Sequence, residues 1–132
     1  METLLHDITK SEDVKILVDK FYDKIKKDSV IGFIFMDIMA VDWEHHLPKM
    51  YSFWEAILLG IEGYKGNPMQ KHLQVNDKIH LEAKHFDRWL LLFEETINEN
   101  FIGTNADEAK LRAKSIAMVW QIKLNHVNNY EL

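Results

Sequence analysis

The chain has 132 residues, 28% of them charged and 47% hydrophobic, with a formal net charge of −5. That is enough for a single domain with one core, and an acidic balance argues against nucleic acid, whose phosphates need clustered Lys and Arg. The absence of cysteine removes disulfides, thiolate catalysis, iron–sulfur clusters and Cys-based zinc sites together, and is compatible with a cytoplasmic location. The N-terminus has neither the basic start nor the apolar run of a secretion signal, and no segment nears the roughly 20 apolar residues of a membrane span.

Residues 1–10 carry no period and read as an N-terminal extension. Ser11, followed by Glu12 and Asp13, is placed to cap a helix with one buried stripe of Val14, Leu17, Val18, Phe21, Tyr22 and Ile25. Tyr22 lies on that stripe, so its hydroxyl points inward and needs a partner. Val30–Phe35 is a short apolar run broken by Gly32. Asp42 is expected to cap a second long helix beginning at Trp43. Its inward set is His46 or Leu47, Met50, Tyr51, Phe53, Trp54, Ile57 and Leu58. Pro48 deletes a backbone donor there and is expected to bend or delay the helix.

Gly60, Gly63 and Gly66 end that helix. Asn67 and Pro68 then restart a short turn that delivers His72 and Leu73. A third long helix runs from Leu81 to about Ile97, with Phe86, Trp89, Leu90, Phe93 and Ile97 inward. Trp89 is a donor only and, if buried, requires an acceptor or a ligand. Thr104 and Asp107 have the spacing of a local cap for a fourth helix. That helix buries Ala109, Ala113, Ile116, Ala117, Trp120 and Leu124. The fold class is therefore all-α.

No Gly-rich phosphate motif and no Gly-x-Ser-x-Gly elbow occurs, and the four serines offer little to nucleophilic catalysis. A di-iron bundle would want repeated Glu-x-x-His motifs, and only Glu82–His85 has that spacing. A haem site needs less of the protein: one neutral imidazole for the iron, an apolar slot, and a few donors on the far side. His72 and His46 could bracket a flat ring. Phe35, Met50, Phe53, Trp54 and Leu73 would wall it, and Tyr22 and Trp89 would supply donors.

The segments Phe21-Tyr22, Gly32–Phe35, Trp43–Met50, Phe53-Trp54, Tyr64–Pro68, Lys71–Leu73 and His85–Phe93 follow one another in an order that resembles the truncated haemoglobins, bacterial two-over-two globins, and within them the third group. The resemblance spans roughly residues 10–125. It implies a two-over-two α-helical sandwich around haem b, with His72 as proximal iron ligand and Tyr22, His46 and Trp89 facing the bound ligand. It also implies that Phe35 packs on the porphyrin. His85 reads as structural, and His6, His80 and His126 as surface residues. The implied ligands are dioxygen, nitric oxide, carbon monoxide or peroxide. Three functions follow: oxygen binding for storage or transport, redox chemistry (nitric oxide dioxygenation or a peroxidase-like reaction) with a reductase, and haem-based sensing or a haem-free helical interaction module.

Overall fold

The computed structural model describes residues 4–38, 40–63 and 81–130, with side chains in the last helix described as far as Leu124. Gly66, Asn67, Pro68, His72, Leu73 and His80 lie outside the described residues.

Among the described residues, four long helices carry the fold. They are α1 (Ser11–Lys27), α2 (Trp43–Leu59), α3 (Ala83–Asn100) and α4 (Thr104–Tyr130), with one wide π-type turn at Ile34–Ile38. α1 packs on α2 and α3 packs on α4; across the layers α1 meets α3 and α2 meets α4. This is a two-over-two sandwich. One hydrophobic cluster runs through all four helices. Val14, Leu17 and Ile25 of α1 are wholly buried, each contributing about 1.5–3 kcal/mol of transfer free energy. On α4 the buried stripe is Ala106, Ala109, Ala113, Ala117 and Leu124, and its small side chains let α3 approach closely.

The helix ends differ from the local signals in three places. Lys10, not Ser11, occupies the α1 cap position, and the buried Asp13 carboxylate reaches back to accept the Thr9 amide at 3.0 Å. The first turn of α4 is not capped by its own Thr104–Asp107 signal. Instead Asp7, far away in sequence, accepts the amides of Asn105 and Ala106 at 3.0 and 2.9 Å. Burial by itself would raise the Asp7 carboxyl, but those two amides, that of Ile8 and the nearby His6 outweigh it and hold it below the ordinary carboxylate range. Residues 4–10 are thus tied to the α3–α4 corner: the Ile102 amide donates to the His6 carbonyl, and Ile8 is fully buried. Third, α2 runs from Trp43 through Pro48 without delay.

The end of α2 is as the glycines predict. Gly60 takes a left-handed conformation (φ 67°), and the amides of Gly60 and Ile61 both turn back to the Glu55 carbonyl. Between α1 and α2, the Asp28 carboxylate accepts the Val30 and Ile31 amides, each at 3.0 Å, and pairs with Arg88 of α3 at 2.6 Å. Burial opposes ionisation of Asp28, yet Arg88 and the two amides prevail and hold its carboxyl low. Gly32 follows, because a Cβ there would lie 3.0 Å from the Ile25 carbonyl oxygen. These contacts bring Phe35 back towards α1.

Candidate functional site

The site grows from the inner stripe of α1. Tyr22 is only 7% exposed, and its hydroxyl lies 3.2 Å from Nε2 of His46 on the facing helix α2. Burial pushes the Tyr22 phenol well above its ordinary range, so it keeps its proton and remains a donor. The hydroxyl has one proton. When Nε2–H of His46 donates to the Tyr22 oxygen, the O–H of Tyr22 is free to point elsewhere; when His46 accepts, it is not. The tautomer of one imidazole therefore sets the direction of the donor.

Three further rings, those of Phe21, Phe35 and Trp43, contact the pair. Phe35 meets Tyr22 edge-on at 6.2 Å, Trp43 tilts against Tyr22 at 5.2 Å, and Trp43 meets His46 edge-on at 5.7 Å. Trp89 stands one ring away. It is edge-on to Phe21 and parallel to Phe93, both at 5.7 Å, and Phe21 is Tyr22's neighbour at 5.0 Å. Phe35, Met50, Phe53 and Trp89 are half-buried. Trp54 lies deeper: it is 4% exposed, stacked on Phe93 at 4.8 Å and edge-on to Phe53. The structure thus joins Tyr22, His46 and Phe35 directly, and links Trp89 and Trp54 through Phe93. His72 and Leu73 lie outside the described residues.

The other described histidines divide clearly. His45 faces away from Tyr22, with Nδ1 2.7 Å from the Asp42 carboxylate, and is exposed. His85 is buried and accepts the Glu82 amide on Nδ1 at 2.8 Å, which caps α3. Its Nδ1 is therefore occupied in the neutral form, in keeping with a structural role. Burial first, then Lys84, depress its basicity, with Glu82 opposing them. Among the described residues no cluster of three or more His, Asp or Glu side chains could hold a metal ion.

Sequence reasoning gave no role in the site to Trp43 and Lys26. Lys26 places its ammonium 4.4 Å from the centre of the Trp43 ring. The signal was present, since Trp43 and His46 are three apart on one helix and so share a face. The position of Lys26 was not legible, because it depends on how α1 crosses α2.

A buried hydroxyl paired with an imidazole across α1 and α2, set among aromatic rings in a two-over-two helical sandwich, fits the class of short, two-over-two globins. The family described as bacterial-like globin matches residues 3–123, and the chain belongs to it, within the third group of truncated haemoglobins. The group 3 truncated hemoglobin of Campylobacter jejuni is 34% identical over 113 residues, which are 83% of this chain and 87% of that protein. The crystal structure of the group III truncated hemoglobin from Campylobacter jejuni aligns with a TM-score of 0.79 at 33% identity, over 92% of this chain and 95% of that one.

The family brings a haem cofactor and small gaseous ligands with it. The donor set fits such a group: a buried neutral phenol and an imidazole stand beside half-buried aromatic and thioether side chains. No described helix is long and apolar enough to cross a membrane.

Proposed function

We propose that the protein holds haem b through His72 and binds dioxygen and related diatomic ligands, with Tyr22, His46 and Trp89 on the ligand side. Phe35, Met50, Phe53, Trp54 and Leu73 contribute the apolar surroundings. The single observation that carries this reading is the 3.2 Å pairing of the Tyr22 hydroxyl with His46 across α1 and α2. When bound, the haem supplies an iron coordination position for a small ligand. Tyr22 then offers a proton that burial prevents it from losing, and His46 sets whether that proton points inward. Trp89 offers an indole N–H from a ring fixed between Phe21 and Phe93. Neutral His72 would bind through Nε2, with Nδ1–H held by a backbone carbonyl.

A donor set of this kind favours ligands that gain negative charge, such as dioxygen or peroxide, over carbon monoxide. The same preference serves redox chemistry, nitric oxide dioxygenation or a peroxidase-like reaction, in which a cytoplasmic reductase would be the partner.

The purified protein should show a strong haem absorption band that shifts on reduction and on adding carbon monoxide. His72→Ala should lose tight haem binding or change the spectrum, and an unaltered spectrum would remove the ligand assignment. Tyr22→Phe and Trp89→Phe should each speed dioxygen release by about tenfold, the loss of one charge-assisted bond, while moving carbon monoxide much less. Equal shifts for both gases would assign the two residues a steric role.

A further inference from the structure

The Tyr22–His46 pair does not stand alone at its outer side. Trp43 touches both members, with ring centres 5.2 Å from Tyr22 and 5.7 Å from His46, and the Lys26 ammonium sits 4.4 Å from the Trp43 ring centre. Tyr22 is buried, whereas Trp43 and Lys26 are half-buried and reach solvent. Lys26 belongs to the last turn of α1, and Trp43 is the first residue of α2. The indole thus stands between the Lys26 ammonium and the Tyr22 and His46 rings.

We infer that Trp43, held in place by Lys26, is a positioning residue for the Tyr22–His46 pair and closes the outer side of the pocket. This rests on the haem-globin reading above. His46 lies in the first turns of α2, where an imidazole has rotamers that lead out to water as well as in towards Tyr22. The edge of Trp43, three residues earlier on the same face, blocks the outward choice and leaves Nε2 on the hydroxyl. The indole in turn is held from outside by the attraction between the Lys26 cation and its ring face. A lysine on α1 and a tryptophan on α2 thus latch together the two helices that carry the pair. Release of that contact frees the indole and then the imidazole.

The test uses the reduced, haem-loaded protein and two readouts. One is the association rate of carbon monoxide after flash photolysis. The other is the imidazole nitrogen spectrum of His46 by heteronuclear magnetic resonance, which is also measurable on the chain without haem. Trp43→Leu and Lys26→Met should each raise the association rate by about five-fold, the size of one ordinary pairwise coupling, and move the His46 Nε2 signal. Lys26→Arg, which keeps the cation, should behave as the native protein. Because the effect passes through His46, the double variant Trp43→Leu/His46→Leu should be no faster than the faster single variant. Additive effects in the double variant, or a native His46 signal and rate in both Trp43→Leu and Lys26→Met, would overturn the inference. A protein that takes up no haem at all would instead sink the haem reading, and the His46 signal in the haem-free chain would still decide the role of Trp43.

Discussion

His85 shows how one side chain makes stability depend on pH. It is buried, and its Nδ1 accepts the Glu82 amide at the start of α3, so the fold requires the neutral ring. Its basicity is depressed below the ordinary value of 6.5 by burial first, then by Lys84, against the opposing pull of Glu82. The unfolded chain therefore binds a proton at higher pH than the folded one, and this contribution to stability is complete above the unfolded value. It is lost as pH falls through 6.5 towards the lower folded value. Urea titrations over that range should show stability declining with acid, and His85→Gln, which still offers an acceptor, should flatten the slope. An unchanged slope in the variant would assign the dependence to another group.

At the scale of elements, the entry to α4 is decided by a segment that shows no pattern of its own. Asp7 caps Asn105 and Ala106, and Gly103 at φ 143° passes so close that an added Cβ would meet the Asp7 side chain at 2.5 Å. Asp7→Ala should cost about 1–2 kcal/mol, the ordinary value of a lost helix cap. Gly103→Ala should cost at least as much, roughly 2 kcal/mol or more, because it combines a left-handed strain with displacement of the same carboxylate. The double variant should be less destabilised than the sum, since both substitutions disturb one cap. Thermal or urea unfolding of the four proteins gives the answer, and strict additivity would mean that Gly103 acts independently of Asp7.

For the whole molecule, the decisive contact is α3 on α4. Ala109 and Ala113 are wholly buried and Ala117 nearly so, so the distance between α3 and α4 within their layer is set by side chains of one carbon. Ala113→Leu should destabilise the protein by about 1–3 kcal/mol through overpacking, or displace α4. Because α4 also supports α2, the same variant should weaken haem retention; a native melting temperature and native haem retention together would contradict this account. The lower layer also reaches the upper one through Arg88 and Asp28, which fix the turn that returns Phe35 towards Tyr22. The geometry around the Tyr22–His46 pair therefore depends on packing well outside it.

Periodicity alone determined a good deal. The stripe Val14 to Ile25, the start of α2 at Trp43, its end at Gly60 and the alanine face of α4 all follow from short-range rules, because helical spacing and a left-handed cap are properties of neighbouring residues. The inward direction of Tyr22 was legible for the same reason. What only tertiary structure decided was which groups meet across helices: His46 on Tyr22, Lys26 over Trp43, Arg88 on Asp28 and Asp7 on the first turn of α4. Each joins residues remote in sequence, and no local spacing encodes the crossing of one helix over another. Tyr22 and His46 could each be read as candidates, but their 3.2 Å pairing required the sandwich to form.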